Sequence, residues 1–600
     1  MVVKVVVLAL SKSGENTARS IAEKFDVPLH GRIDRVENAN VYFGNSLEHI
    51  RDLFLAGYSI VGVCASGILI RAVAPFISDK KADPPLVSVA EDGSVVVPLL
   101  GGHYGANRLA KDIGNIVNGI AAVTTAGDIA LGVALDEPPI GYFLQNRSDA
   151  KDVMMKLLSG EKRKIIGTNI FDLKSNDDGD VLIEVTSKPT LGSKSHLVYN
   201  PKNCVIGLGC ARNTDPEELW NLVENTLIEE NLAKGCIAAV ASIDLKADEI
   251  AINEVAKKLK VPFLLFTADQ LEEEFDRLEH PSKLVFDEVG CHGVSEGAAL
   301  ACSGQKGSLM VPKKKTQNAT IAIAGTQAPL DHLFGSPRGR LAIVGIGPGQ
   351  SSWRTPEATR LIADSEELVG YSLYLDLLGP LTFGKDRSDF PLGGEEERCR
   401  YALEQAGKGK RVSLICSGDA GIYAMGALVF ELLDRSKENL GVSDAARRVE
   451  VVCTPGVSAL QGAAARAGAP LGHDFCAISL SDLLTPREDI IKRIEAAAYG
   501  DFVIAFYNPV SLNRRTLLKG AKETLLKHRP GVTPVLLAKN LGRTNETLLY
   551  RKLEDLRVDE VDMLTVVIVG SSNSKIVELG GGPRMYTPRG YARKIDGDLA

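Results

Sequence analysis

Paired cysteines, long apolar runs and a surplus of positive charge are all missing from this 600-residue chain. Its ten cysteines are dispersed and none stands in a C-x-x-C pair. That argues against a disulfide framework or a zinc site, and for free thiols in a reducing cytosol. No stretch reaches the roughly 18 apolar residues of a spanning helix. The opening "MVVKVVVLAL" is short and runs into helix-like "SKSGENTARSIAEKF", with no small-residue cleavage site. It reads as a buried first strand, which predicts a cytoplasmic protein with no membrane partner. A net charge of -7 and a pI near 5.9 argue against a general nucleic-acid binder. Glycine (58) and proline (27) are scattered, so no segment is low in complexity.

What is present points to large α/β cores. The hydrophobic share is 45%, ordinary for a globular chain. Residues 1–25, "YSIVGVCASGILIRAVAPFI" (58–77) and "SVVVPLLGGHYGANRLAKDI" (94–113) each run from a strand through a small-residue turn into an amphipathic helix. Such alternation predicts a parallel sheet with helices on its faces and functional loops at the strands' carboxyl ends. From Ala134 the pattern changes. "RKIIGTNIFDLKSNDDGDVLIEVTSKP" reads as a strand pair around the turn signal "SNDDGD", a small separate insert. A third region opens at Asn203, with Asp215 as a helix N-cap before Pro216, and closes near Ala324. "GTQAPLDHLFGSPRGR" (325–340) reads as a linker with few signs of packing. "LAIVGIGPG" (341–349) then starts a new α/β unit.

The loops of that second half carry chemistry. GIGPG is a poor dinucleotide fingerprint, because Pro348 stands in the loop and Gln350 replaces the third glycine of G-x-G-x-x-G. Four more loops follow in order: "CSGDAGIY" (416–423), "TPGVSALQ" (454–461), "FYNP" (506–509) and "NLGRTNE" (540–546). Together they resemble the tetrapyrrole methyltransferases, which use S-adenosyl-L-methionine; "VGYSLYLDLL" and "MYTPRGY" favour the subtype that methylates C17 of precorrin-3B. The resemblance spans 339–592 and implies a two-lobed α/β fold, a homodimer through this half, and a cofactor held mostly by backbone and small side chains. The residues it implies are Gly347, Pro348, Gly349, Ser417, Gly418, Asp419, Ile422, Tyr423, Thr454, Gly456, Val457 and Ser458, with Pro455 in the same wall. Asp419 has two readings, a partner for the cofactor's ammonium or a helix cap. An activated sulfonium methyl needs no metal and no covalent nucleophile.

The front half carries "CASGILIRAV", "LLGGHYGANRLA", "VTTAGD", "GLGCARNT", "ASIDLKADE" and "VGCHGVSEGAAL". This set resembles the cobalt-precorrin-5A hydrolases of cobalamin biosynthesis over residues 1–324. The resemblance implies opening of a δ-lactone with release of acetaldehyde. The loop Gly101–Asn107 is one glycine shorter than that family's common form. His103 is the natural base, with backbone at 101–102 and 66–67 as oxyanion donors. Lys246, with Asp244 and Glu249, is a second cluster that also reads as a surface ion-pair group. Glu296 reads as an acid or as a first-turn helix carboxylate. Cys291 and His292 are adjacent, which makes neither a metal site nor a protease dyad.

The expected architecture is therefore multidomain α/β. Its front half has three subdomains (1–133, 134–200, 201–324), followed by a linker (325–338) and a two-lobed methyltransferase unit (339–592). The expected function is bifunctional corrin-ring construction on tetrapyrrole intermediates: C17 methylation with ring contraction, and lactone hydrolysis. The alternative keeps the methyltransferase and makes the front half a non-catalytic corrinoid-binding unit.

Overall fold

The computed structural model describes residues 4–77, 83–102, 105–124, 131–511 and 515–595. The first sheet holds β1 (Val5–Ala9), β2 (Leu29–Arg32), β3 (Val41–Phe43), β4 (Ser59–Val63), β5 (Leu86–Val89), β6 (Val95–Leu100) and β7 (Ile120–Ala121), in the order 3-2-1-4-5-6-7. Apolar clusters cover both of its faces, one around Val7, Ile21, Val61 and Ile113, the other around Leu8, Ile50, Ile60 and Leu69. The strands run parallel except at one place: β6 lies antiparallel to β5, with Leu100 level with Leu86 and Val96 level with Val89.

That reversal corrects one expectation. The 64–67 loop leaves the carboxyl end of β4, beside Val89. Gly101 and Gly102 follow β6 and sit at the amino end of β5, where a Cβ on Gly101 would meet the Pro85 Cα at 3.0 Å. The four-residue β5 separates the two loops by about 10 Å at the usual rise per strand residue. They cannot serve one oxyanion together. His103 itself lies outside the described residues, as does Tyr104.

The insert forms a four-stranded sheet of β8 (Tyr142–Leu144), β9 (Arg163–Ile166), β10 (Val181–Val185) and β11 (His196–Pro201). β9 and β10 are neighbours, as the alternation predicts, but they run parallel rather than as a hairpin. The turn at Asn176–Gly179 does form; the chain between the strands crosses back before it can pair antiparallel. The third sheet holds β12 (Cys204–Cys210), β13 (Ile237–Ile243), β14 (Phe263–Phe266), β15 (Ser308–Lys315), β16 (Ala319–Gly325) and β17 (Ser336–Pro337). β12, β13 and β14 are parallel, and β15–β16 is a closing hairpin. Asp215 caps the helix Pro216–Glu229 through the Glu217 amide, 3.0 Å away.

The segment after Gly325 is packed rather than loose. β17 pairs with β14, Leu330 and Leu333 join the core beneath the third sheet, and the Phe334 amide donates to the Cys302 carbonyl. Arg338 then donates to the carbonyls of Arg448 and Val449, just ahead of a strand of the next sheet.

That next sheet is fully parallel: β18 (Arg340–Gly345), β19 (Glu367–Tyr371), β20 (Asp386–Phe390), β21 (Arg411–Cys416) and β22 (Glu450–Thr454), ordered 20-19-21-18-22. The last lobe is a mostly antiparallel sheet of β24 (Phe475–Ser479), β25 (Val503–Tyr507), β26 (Pro534–Lys539), β27 (Thr547–Lys552) and β28 (Thr565–Val569), flanked by the small strands β23 (Gly468–Ala469), β29 (Lys575–Leu579) and β30 (Gly582–Tyr586).

The two halves also touch away from the chain connection. The helix Ser46–Leu55 of the front domain faces the 351–383 segment. There Arg354 and Asp52, each 8% exposed, form an ion pair at 3.6 Å, and Ser351 donates to Glu48 at 3.1 Å. His30 and His49 meet at 2.9 Å under Phe383 and Phe43, and burial pushes their pKa values down to about 3 and about 4. Among the described residues no helix is long and apolar enough to cross a membrane.

Candidate functional site

In the parallel sheet of the second half, Gly345 is level with Cys416, and Val344 with Thr454. GIGPG, CSGDAGIY and TPGVS therefore leave the carboxyl ends of three adjacent strands, β21, β18 and β22. β18 is also where the strand order switches sides, the place where open α/β sheets open a ligand crevice.

Close backbone approach holds the three loops together. Gly347 and Gly418 exchange two hydrogen bonds, at 3.1 and 2.9 Å, and both lie at positive φ (76° and 71°), where a side chain would be strained. Gly456 is tighter still: a Cβ there would stand 2.1 Å from the Gly418 carbonyl oxygen and 3.0 Å from Gly345. Asp419 staples two loops, accepting the Gly421 amide at 2.8 Å and the Gly456 amide at 3.0 Å. No described helix starts on Asp419; the next begins at Gly426. Ser458 is buried and engaged, its hydroxyl accepting the Gln461 amide while Gln461 accepts the Ser458 amide, a capping box for the helix Ala459–Ala467. Thr454 differs. It is 3% exposed and its hydroxyl has no hydrogen-bond partner among the described residues.

The second lobe closes on these loops. Arg543, from the NLGRTNE turn between β26 and β27, donates to the Pro348 carbonyl at 2.7 Å and to the Ser417 hydroxyl at 3.3 Å. Gly349 packs against Gly542, where a Cβ would meet backbone at 2.6 Å. Tyr507 of FYNP accepts the Leu460 amide at 3.0 Å. Tyr423 donates to the Ala477 carbonyl at 2.7 Å, stands at φ 50°, a rare conformation for a tyrosine, and has its ring 5.3 Å from that of Tyr507. Ile422 and Tyr423 are exposed, at 38% and 51%. Val457 and Pro455 lie in the same wall, partly exposed and exposed. Sequence reasoning quoted the NLGRTNE loop but missed Arg543 itself. Its signal in the sequence was a cation set in a loop of small and polar residues, three positions before Glu546.

The other front-half candidates, Asp244, Lys246, Glu249 and Glu296, lie on elements around the third sheet. Lys246 follows β13 and lies 3.8 Å from Glu249, whose side chain is 3% exposed. Arg212, following β12, is 3.7 Å from Glu249 and 2.6 Å from Asp248. Glu249 accepts the Asn213 amide at 3.1 Å, yet its Oε2 has no hydrogen bond among the described residues. GLGCARNT and ASIDLKADE thus form one half-buried cluster at neighbouring strand ends, with Asp244 opening the turn that carries Lys246. Glu296 is 1% exposed and accepts the amides of Glu279, His280 and Lys313 and the His280 Nδ1, all at 2.9–3.0 Å. Burial alone would raise its pKa, but these bonds overcome it and hold the carboxyl below its usual range. It is a carboxylate that ties loops together.

Three family descriptions match the chain: cobalamin synthesis G N-terminal over 48–128, cobalamin synthesis G C-terminus over 204–324, and tetrapyrrole (corrin/porphyrin) methylases over 340–557. The cobalt-factor III methyltransferase of Priestia megaterium is 42% identical over 259 residues, 43% of this chain and 46% of that protein, so the match spans about half its length. The precorrin-3B C(17)-methyltransferase of a Sinorhizobium species is 41% identical over 259 residues, 42% of this chain and 98% of that protein. The crystal structure of the methyltransferase CobJ is 37% identical and covers 42% of this chain and 100% of its own, with a TM-score of 0.39. The chain belongs to the tetrapyrrole methylases of cobalamin biosynthesis, its methylase half following N- and C-terminal cobalamin synthesis G regions.

Proposed function

We propose that this chain joins two enzymes of corrin-ring construction. Residues 339–592 transfer a methyl group to C17 of precorrin-3B, or of its cobalt analogue, with ring contraction. Residues 1–324 open the δ-lactone of cobalt-precorrin-5A and release acetaldehyde. The observation that carries the first activity is the convergence of all five motif loops on the carboxyl ends of β21, β18 and β22.

The residues there fit S-adenosyl-L-methionine. Thr454 offers a buried hydroxyl without a partner among the described residues, and Ile422 and Tyr423 present exposed apolar surface. Gly347, Pro348, Gly349, Ser417, Gly418, Asp419, Ile422, Tyr423, Thr454, Gly456, Val457 and Ser458 would hold it. When bound, the cofactor supplies a methyl group already activated as a sulfonium. The chain's own task is then alignment and exclusion of water. Alignment alone is worth up to about 7–11 kcal/mol in favourable cases. Asp419 and Arg543 do this indirectly, by fixing three loops and two lobes against one another.

Lactone opening needs a base and a stabiliser of the developing oxyanion. Lys246 and His103 are the candidates carried by sequence, and Glu296 holds loops in place. The reading of the front half as a non-catalytic corrinoid-binding unit is favoured by one observation, the separation of the 101–102 loop from the 64–67 loop. A cytoplasmic enzyme dimerising through the methylase half completes the proposal.

The test is incubation of the full chain with S-adenosyl-L-methionine and with cobalt-bearing or metal-free intermediates. Products are identified by mass, and acetaldehyde is trapped. A methylated, contracted ring and free acetaldehyde are expected. Absence of the first refutes the methylase assignment; absence of the second from cobalt-precorrin-5A leaves the front half as a carrier.

A further inference from the structure

We propose that His292, held by Glu272, is the general base that opens the lactone; this rests on the hydrolase reading of the front half. The active edge of an α/β sheet is the one where its parallel strands end. The reversal of β6 takes the 101–102 loop away from that edge in the first sheet. In the third sheet the edge is intact. β14 ends at Phe266, the short helix Ala268–Glu272 follows it, and the VGCHG loop is bound to that helix.

One carboxylate fixes this histidine twice. Glu272 Oε2 accepts the His292 amide at 2.9 Å, and Oε1 accepts Nδ1–H at 2.8 Å. With Nδ1 donating, the lone pair is on Nε2, which has no hydrogen-bond partner among the described residues. The ring is stacked on Phe286 at 4.4 Å and meets the edge of Phe275 at 4.7 Å, so it cannot swing away. Its side chain is 25% exposed, hence reachable from solvent. A carboxylate on Nδ1, a free Nε2 and a pinned ring are what a histidine base requires.

Two other glutamate–histidine pairs lack part of this. His196 spends Nε2 on Glu184. His280 bonds Glu296 through Nδ1, but its side chain is 52% exposed, and Glu296 also holds three backbone amides. His280 sits close by, since the Ser282 amide donates to the His292 carbonyl at 2.7 Å.

The step balances without a co-reactant. Water adds to the lactone carbonyl as Nε2 takes one of its protons. The tetrahedral intermediate collapses, the acyl carbon–oxygen bond breaks, and the imidazolium returns its proton to the departing alkoxide. A carboxylic acid and an alcohol result.

The experiment uses the full chain with cobalt-precorrin-5A, reading lactone opening by mass, and methylation as the measure of intact fold. His292→Asn keeps a side-chain N–H for Glu272 but removes Nε2. It should lower kcat for opening by about 10²–10⁴-fold while methylation stays normal. Glu272→Gln should lower kcat with KM unchanged, which a merely structural clasp would not do. Added imidazole should restore part of the activity of His292→Ala. His280→Asn should open the lactone normally. Near-normal turnover by His292→Asn overturns the assignment, as does a loss in His280→Asn that equals the loss in His292→Asn. A wild-type chain that leaves the lactone closed refutes the hydrolase reading itself, and this inference with it.

Discussion

Gly456→Ala is the sharpest probe of the methylase cleft. The added Cβ would lie 2.1 Å from the Gly418 carbonyl oxygen and 3.0 Å from both Cα and C of Gly345. All three atoms are backbone, so no side chain can swing aside. Restoring ordinary contact requires the loops to part by about 1 Å. Gly418 accepts the Gly347 amide through that same oxygen, and the Gly456 amide is bound to Asp419. Overpacking of about 1–3 kcal/mol plus the loss of one hydrogen bond gives about 2–4 kcal/mol. A 1 Å misplacement at a site that works by alignment costs on the order of 10²-fold in rate. Urea unfolding, calorimetric titration with S-adenosylhomocysteine and kcat/KM for methyl transfer should all fall. Gly520→Ala is the control: it lies within the helix Thr516–Leu525, a Cβ there meets nothing within 4 Å, and it should stabilise by about 0.5–1 kcal/mol. A Gly456→Ala enzyme that binds and turns over within twofold of wild type would refute the packing of the three loops.

Thr454→Val removes the unpartnered hydroxyl with little change of shape, so stability should hold or rise while affinity for S-adenosylhomocysteine falls; unchanged affinity would mean that the hydroxyl does not face the cofactor. Asp52→Ala strands the buried Arg354 and should cost about 3–5 kcal/mol, with faster proteolysis between the halves, whereas Asp52→Leu combined with Arg354→Met should recover most of it. The neutral His30–His49 pair predicts acid lability. Its folded pKa values, about 3 and about 4, lie below the ordinary 6.5, so the unfolded chain binds more protons between these limits. The stability is present above pH 6.5 and is lost as pH falls toward 4 and then 3. Urea midpoints measured from pH 7.5 to 4.5 should drop, and His49→Gln should flatten the drop.

Sequence by itself determined a great deal here. Strand patterns, turn residues and the Asp215 cap are local, written within ten or so residues, and they gave the α/β character and strands such as β1, β4, β12, β18 and β21. The five loops of the methylase half were legible because each is a contiguous motif. Strand direction was not, because it depends on which neighbour a strand meets. Hence β9 and β10 run parallel across a turn that looks like a hairpin, and β6 runs against β5, carrying the 101–102 loop to the wrong edge. Packing between distant segments was equally hidden. The 325–338 stretch looks loose by composition, yet β17 joins a sheet edge that only the folded third domain provides. Arg543 reaches Pro348 across 195 residues, and Glu272 orients His292 across 20. A side chain's chemical type is local, but its partner is chosen by the fold.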